Sequence, residues 1–495
     1  MPKNIPIFYS ALLLTGVNLL LRLVGTSFQV YISASLGPEG VGLLQLVLSV
    51  GSLALVAGMG GIRTGTMYLT AEELGKNRPK NVRWVLSGCF TYSISFSTAV
   101  AILLYLFAPA IAQNWIGDIR TIHGLRLFAV FLPVTCLCGV MTGYFTAANR
   151  IGTLAAVEVA EQLVSMIVTI LTLTYWAGKD PGRACMSVVL GSCIGTCLTL
   201  GFLVVLRLRE HSQISPRILM HHRITQAALP LALADIMRSG ISTIENLMVP
   251  KRLALNHAVT NPLAAFGLLS GMVFPVLMFP ACILFGLAEL LIPELARCAA
   301  SGSHFRISYL VKRSLKVTML YGIVFGGLLF LLAQSLCLQL YQNTQAGQYL
   351  QLYSLLVPML YCDAITDAMT KGLGQQKTCV RYNILTSAMD VVFLWVLLPE
   401  YGMEGYFFSF FITHALNFGL SLRRLLKITQ ERIPFHIPAL AISAAMISIA
   451  GVSHMHSAVL QVPFYLALLT SLLYLLGIIR KEDIHWVTGL VRNKK

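Results

Sequence analysis

The sequence predicts an all-α polytopic membrane protein, and three observations carry this prediction. Of the 495 residues, 56% are hydrophobic and only 11% are charged, whereas roughly a quarter of an ordinary soluble domain is charged. Apolar runs of about 20 residues, the length of a membrane-crossing helix, recur along the whole chain. The mean hydropathy is +0.75. This composition excludes a water-soluble globular enzyme.

The apolar runs predict about fourteen transmembrane helices, separated by polar or Gly- and Pro-containing loops. The predicted spans are 7–34, 41–62, 84–108, 123–147, 154–176, 184–206, 226–249, 263–292, 315–338, 349–370, 379–398, 403–422, 436–454 and 460–479. The first span follows Lys3, as a signal peptide would, but it is too long for one and thirteen spans follow it. We therefore expect an uncleaved first helix.

The basic residues predict the orientation of these helices. With the N-terminus in the cytoplasm, the inner segments contain 28 of the 36 Lys and Arg residues, and the outer loops contain six. Cytoplasmic loops of membrane proteins are enriched in Lys and Arg. Both termini are therefore expected to be cytoplasmic.

Two of the predicted helices have a polar face that lipid would not tolerate. At 100° per residue, the polar residues of span 1 fall within about 80° of arc, and those of span 7 within about 120°. In span 1 they are Thr15, Asn18, Arg22, Thr26, Gln29 and Ser33. In span 7 they are Asp235, Arg238, Ser239, Ser242, Glu245 and Asn246. Both faces are expected to line a polar cavity.

The positions of these features predict an internal repeat of six helices. Arg22 and Arg238 are the two basic residues that lie well inside spans, away from the span ends, and they lie 216 residues apart. Similar loops, 143–150 and 371–377, follow spans 4 and 10, with Asn149 and Gln376 at an offset of 227. Two units of six helices form a parallel repeat about an axis along the membrane normal. We expect lobes at 1–222 and 223–430, polar faces meeting across a central cavity, and two additional helices with a cytoplasmic tail at 431–495.

The charges within the spans are candidates for function, because each costs at least about 2.5 to 3.5 kcal/mol at mid-membrane. The planar fork of arginine binds two phosphate oxygens at once, so Arg22 and Arg238 together would hold a pyrophosphate. Two structural alternatives remain open. Asp235 and Arg238, three residues apart, would neutralise one another on their own helix, and Glu245 would pair with Arg22.

Acidic residues offer a second kind of site. Asp363 and Asp367 share one helix face, and they are candidates for Na⁺ binding or proton relay; an ion pair with Lys371 is the alternative. The eleven cysteines lack metal-ligand spacing. The sequence also has no phosphate-binding lysine loop, nucleophile elbow or basic nucleic-acid patch. We expect no enzyme activity, catalytic residue, cofactor, metal or nucleic-acid partner.

Four stretches of the sequence resemble a known family. They are Leu36–Gln45, Gly143–Phe145 with Glu161 and Gln162, Gly372–Gln376, and Leu398–Gly405. Together they are similar to the polysaccharide-transport branch of the multidrug, oligosaccharidyl-lipid and polysaccharide exporter superfamily, and most of all to stage V sporulation protein B-like proteins. One position departs from the pattern, since Ser165 stands where the resemblance would place an arginine.

The resemblance implies two lobes that alternate between inward and outward openings, in a bacterial cell membrane, with lipid-linked precursors as substrates. Arg22 matches a first-helix arginine that related lipid II flippases carry, and Arg238 is carried over with it. We expect a flippase that moves an undecaprenyl-pyrophosphate-linked saccharide, a peptidoglycan precursor, to the outer leaflet by alternating access.

The expected substrate-binding residues are Arg22, Arg238, Asn18, Gln29, Asp235, Ser242, Glu245 and Asn246. A cell-wall synthase is a candidate partner. The alternative function is a cation-coupled multidrug antiporter of the same superfamily, which would need acids in the cavity. A third possible function is that of a membrane scaffold, which the polar helix faces disfavour.

Overall fold

The structure is a computed structural model that describes residues 7–76, 78–148, 150–178, 180–209, 221–431, 436–453 and 458–478. Throughout these residues the chain forms helices and no strand. The α-helices are α1 (Ile7–Met59), α2 (Ile62–Gly75), α3 (Val82–Ala110), α4 (Ile122–Ala147), α5 (Ile151–Thr172), α6 (Pro181–Leu208), α7 (His221–Leu253), α8 (Pro262–Gly267), α9 (Phe274–Met278), α10 (Ala281–Ala300), α11 (His304–Tyr341), α12 (Thr344–Ser354), α13 (Val357–Gly372), α14 (Gln376–Thr429), α15 (His436–Val452) and α16 (Ala458–Leu475). The all-α prediction is confirmed.

Most predicted spans fall on one helix, but two helices carry two spans each, and spans 263–292 and 349–370 each extend over more than one helix. The long helix α1 contains spans 1 and 2, and it breaks at Gly37, where φ is 70° and ψ is 173°. The break in α14, between spans 11 and 12, is at Gly402. By length and hydropathy, seven described helices are long enough to cross a membrane, or eight if the pair bent by 66° at Ala281 is one span. The count of fourteen crossings stays a prediction.

The sequence predicts a loop between spans 2 and 3, at 63–83, whereas the structure forms helix α2 over the first part of it. One face of α2 is buried, with the side chains of Ile62, Thr66, Leu69, Thr70 and Glu73. These positions follow a helical period, but three of them are polar, so no apolar run marks the helix. At the preceding Gly61, φ is 69°, and an added Cβ would lie 2.4 Å from the carbonyl oxygen of Ala228 in α7. Close packing against α7 therefore depends on that glycine.

The chain forms two compact units. Unit 1 consists of residues 1–271 and 387–406. Its core joins α2, α3, α4 and the end of α6, around large buried side chains such as Phe145. Helix α7, which the predicted repeat assigns to the second lobe, packs on α1 and α2 in this unit. The predicted division at residue 222 describes a repeat in the sequence, and it stays a prediction.

Unit 2 consists of residues 272–386 and 407–495. Here α15 and α16 pack against α11 in a cluster of buried apolar side chains that includes Ile323, Ala441 and Tyr465. The Tyr465 hydroxyl donates a hydrogen bond to the carbonyl oxygen of Ile323 at 3.3 Å. The two additional helices are therefore fixed to the rest of unit 2 through α11.

Two glycines at corresponding places in the predicted repeat have the same backbone conformation. Gly178, between spans 5 and 6, has φ 57° and ψ −129°, and Gly402, between spans 11 and 12, has φ 54° and ψ −128°. A residue with a Cβ is strained in this region, whereas glycine is not. The offset of 224 residues lies between the two offsets found in the sequence. The six-helix repeat itself stays a prediction.

Candidate functional site

Arg22 lies in the first segment of α1, before the break at Gly37, and its side chain is exposed. One turn later, the Thr26 hydroxyl donates to the Arg22 carbonyl oxygen at 2.8 Å. Gln29 is half-buried, and Ser33 is buried and donates to the carbonyl oxygen of Gly271 at 2.5 Å. The predicted polar face therefore includes one hydroxyl that serves packing. The side chain of Asn18 lies outside the described part of the chain.

On α7, the side chains of Asp235, Arg238 and Ser242 are exposed. In the described part of the chain, Asp235 and Arg238 form no ion pair with each other. The structure therefore does not support the internal neutralisation of Arg238 by Asp235. An exposed cationic fork on this helix is available to an anion.

Two hydrogen bonds join α7 to the second segment of α1. The Asn246 amide donates to the hydroxyl of Ser49 at 3.0 Å, and the Thr243 hydroxyl approaches the Ser49 carbonyl oxygen at 3.1 Å. Thr243 also donates to the carbonyl oxygen of Ser239 one turn earlier. Asn246, predicted to solvate the substrate, therefore has a contact that holds two helices together. These contacts lie on the segment after Gly37, whereas Arg22 lies before it.

Glu245 on α7 and Asp390 on α14 form a carboxyl pair that the sequence analysis did not predict. The two side chains share a hydrogen bond, with Tyr406 close to both. All three residues belong to unit 1. Two carboxyl groups at hydrogen-bonding distance need a shared proton or a cation between them. Their 145-residue separation in sequence gave no signal of this contact.

A second acidic group lies between α1, α5 and α6. The carboxylate of Glu161 accepts hydrogen bonds from Thr196 and Thr199, both at 2.9 Å. Together with Glu158 it lines a polar cavity of about 420 Å³, which Leu21 and Gly25 of α1 close on one side. Ser165, where the family resemblance places an arginine, also lines this cavity. The absent arginine leaves the cavity acidic.

The two acids proposed for cation coupling have different partners. Asp367 forms an ion pair with Lys371 at 2.5 Å, which is the alternative the sequence left open. Asp363 accepts from the side-chain nitrogen of Asn417, at 3.1 and 3.3 Å to its two oxygens. Among the described residues, the buried amide oxygen of Asn417 has no hydrogen-bond partner. Asp363 is therefore held by an amide N–H within unit 2, and its carboxylate oxygens are of the kind that Na⁺-like hard cations prefer.

Comparisons with known proteins identify the fold. Residues 15–174 match the MatE family model. Stage V sporulation protein B of Bacillus subtilis (strain 168) is 21% identical over 406 residues, which cover 80% of this chain and 78% of that protein. The structure titled "Lipid II flippase MurJ, inward closed conformation" matches with a TM-score of 0.73 and 14% identity, over 95% of this chain and 100% of that one. The predicted resemblance is confirmed.

The chain has the fold of the MOP superfamily, the multidrug, oligosaccharidyl-lipid and polysaccharide exporters, and part of its sequence matches the MatE model. A multidrug resistance MATE family transporter of the MOP superfamily, in an inward-facing conformation, also shares the fold. Its TM-score is 0.65 at 15% identity, with 85% of this chain and 100% of that chain covered. The MOP fold is therefore common to relatives titled as lipid flippases and as drug transporters. The choice between these substrates depends on the side chains described above.

Proposed function

We propose that this MOP transporter is a flippase for a polyprenyl-pyrophosphate-linked saccharide. The substrate is a peptidoglycan precursor, and alternating access moves it from the cytoplasmic to the outer leaflet. The observation that carries the proposal is the exposure of Arg22 and Arg238 on helices α1 and α7. The similarity to stage V sporulation protein B and to the structure titled as a lipid II flippase supports it.

The chemistry of arginine fits this substrate. Each guanidinium stays charged and offers a planar fork that binds two phosphate oxygens, and such charge-assisted bonds are about twice as strong as neutral ones. Gln29 on α1 is half-buried, and Ser242 on α7 is exposed. They supply neutral donors and acceptors for the hydroxyl groups of a saccharide.

The membrane potential favours this transport. Each negative charge that moves outward across a membrane with an inside-negative potential gains about 2.3 kcal/mol per 100 mV, because the field drives anions outward. Acidic side chains within the helices add a route for ion coupling, since Glu245 shares a hydrogen bond with Asp390 and Asp363 accepts one from Asn417. A cation or proton taken up there would bias one conformation of the transporter. A cell-wall synthase is the protein partner that this substrate would require nearby.

The second candidate function is a cation-coupled multidrug antiporter. The acidic cavity around Glu158 and Glu161 favours it, because drug antiporters need acids that exchange a cation for their substrate. The fold is compatible with this function too. In this case the exposed arginines would have no anionic ligand.

The test is a leaflet-resolved measurement of lipid II in bacterial cells that have been depleted of their own flippase. We expect lipid II to reach the outer leaflet when this protein is expressed and to stay inside when it is not. Membrane insertion is verified by immunoblotting of the membrane fraction. If the inserted protein leaves lipid II inside while it exports a cationic dye in response to a cation gradient, the antiporter function replaces the flippase.

A further inference from the structure

An apolar groove on unit 1 is not lined by any of the residues assigned to transport, although it runs along α7, which carries several of them. It has a volume of about 650 Å³, and α1, α7, α14 and the π-helical segment Ile111–Ile116 form its walls. The apolar lining includes Leu53, Ile244 and Leu247. Pockets of about 300 to 1,000 Å³ with such walls are typical of small-molecule sites.

The groove has a charged end. Lys251 and Arg252, in the last turn of α7, line it together with Trp115 and Trp395. Arg252 lies over the indole ring of Trp395, and the Lys251 ammonium donates to the carbonyl oxygen of Asn114. Neither of the two cations forms an ion pair with a carboxylate in the described part of the chain. Stacking on the ring leaves the edge of the guanidinium, with its N–H donors, open to an anion.

The dimensions match those of one bilayer leaflet. From Gly240 to Arg252 the groove follows α7 for about 18 Å, at 1.5 Å per residue. Half of the hydrocarbon thickness of a bilayer is about 15 Å. Tryptophan is enriched at the membrane interface, and Trp115 and Trp395 are both exposed, at 51% and 57%. An acyl chain would therefore occupy the groove with its headgroup at the level of the two cations.

We infer that this groove binds an anionic phospholipid of the surrounding bilayer, with its phosphate held by Lys251 and Arg252. The positive charge of the groove supports an anionic occupant. The predicted outer loops contain only six basic residues, and two of them, Lys251 and Arg252, meet at this groove. The helix dipole favours a basic residue at the C-terminus of α7, which would explain a cation there without a ligand. The dipole does not explain the apolar groove beneath that residue. The site is independent of the proposed transport function.

The experiment measures tryptophan fluorescence of the full-length protein in phosphatidylcholine liposomes. A small fixed fraction of the lipid is replaced by phosphatidylglycerol or phosphatidylcholine with brominated acyl chains, which quench nearby tryptophan. We expect stronger quenching by the brominated phosphatidylglycerol. Lys251→Gln or Arg252→Gln should each lower this preference about fivefold, since a basic residue near a membrane surface contributes about 1 kcal/mol. Arg183→Gln is the matched control, because Arg183 is an exposed arginine outside the groove.

A second pair of variants tests the apolar part without changing a charge. Gly240 lines the groove, and an added Cβ there meets no heavy atom within 4 Å. Gly240→Leu should therefore fill the groove and reduce quenching by both brominated lipids. Gly201 on α6 has the same open surroundings, so Gly201→Leu is the control and should leave quenching unchanged.

Three results would overturn the inference. The first is equal quenching by the two brominated lipids in the unmodified protein. The second is unchanged quenching in both Arg252→Gln and Gly240→Leu. The third is displacement of the brominated lipid by stoichiometric undecaprenyl pyrophosphate but not by an excess of unlabelled phosphatidylglycerol, which would show that the groove takes a polyprenyl substrate instead.

Discussion

The carboxyl groups of Glu245 and Asp390 share a hydrogen bond, although one lies on α7 and the other on α14. Both belong to unit 1, to which α14 contributes residues 387–406. This pair is the acidic contact that connects the helix carrying Arg238 with a distant part of the chain. A shared proton or cation would hold the two helices together, and its loss would separate them by charge repulsion.

Replacing one carboxyl by an amide should uncouple transport from ions. In Asp390→Asn the new side-chain amide still donates a hydrogen bond to Glu245, but the two side chains no longer share a proton or a cation. We expect the dependence of lipid II flipping on external pH or Na⁺ to fall by at least about fivefold, the lower end of usual coupling between sites. Glu72→Gln, which changes an acid paired with Lys76 on the surface of α2, is the control. An unaltered ion dependence in Asp390→Asn would refute the coupling role.

Arg22 should contribute through the shape of its guanidinium as well as its charge. Hydrogen bonds to charged groups contribute about 1.5 to 3 kcal/mol, so Arg22→Ala should lower the rate of lipid II flipping about tenfold or more. Arg22→Lys, which keeps the charge but not the fork, should give an intermediate rate. The rate is measured in cells by leaflet-resolved lipid II.

Arg238 should show the same order of effects, with Arg238→Ala below Arg238→Lys. Arg183→Ala is the control for both positions, because Arg183 pairs with Asp180 at a loop. Full flipping by Arg22→Ala, in the presence of normal membrane insertion, would exclude a pyrophosphate contact at Arg22.

Alanine at Gly178 or Gly402 should destabilise the protein. Strained backbone conformations of this kind cost about 1 to 3 kcal/mol for a residue with a Cβ. At Gly178 an added Cβ meets no atom within 4 Å, whereas at Gly402 it lies 3.3 Å from Val259. Gly402→Ala is therefore expected to have the larger effect on the thermal unfolding midpoint in detergent. Gly201→Ala, within helix α6, should keep or raise that midpoint.

The contact of Asp363 with Asn417 should behave as a buried polar pair. Asn417→Leu removes the donor that the structure places on Asp363, and an unsatisfied buried group costs about 1 to 3 kcal/mol. We expect a lower thermal midpoint in Asn417→Leu. The double variant Asp363→Leu/Asn417→Leu should recover most of it, since replacing both partners is nearly neutral. Additive losses in the double variant would contradict a direct interaction.

Much of the fold could be predicted from local sequence. Apolar runs gave the helices of the structure, because a helix in lipid satisfies its backbone hydrogen bonds internally and needs about 20 apolar residues. The pairing of Asp367 with Lys371 could be proposed because residues four apart share one helix face. Helix α2 was missed because its buried face carries Thr66, Thr70 and Glu73, which do not form an apolar run.

The candidate site could be predicted only in part from local sequence. Polar side chains on α1 and α7 could be identified from the sequence, because charge within an apolar run is conspicuous. Their partners could not be identified in this way. Asn246 contacts Ser49, and Glu245 contacts Asp390. The partners in each pair lie on different helices, so the periodicity of a single helix does not predict these contacts.

Local sequence was enough to predict an all-helical membrane protein, the positions of most of its helices, and which of them carry charge. Those properties follow from the chemistry of the residues within one helix length. The bilayer sets that length for any chain that crosses it. The side chains of Arg22 and Arg238 are exposed, and Glu245 pairs with Asp390; neither result could be read from the sequence. The physical reason is that pairing depends on the packing of distant helices, and close approaches such as that of Gly61 to Ala228 set that packing.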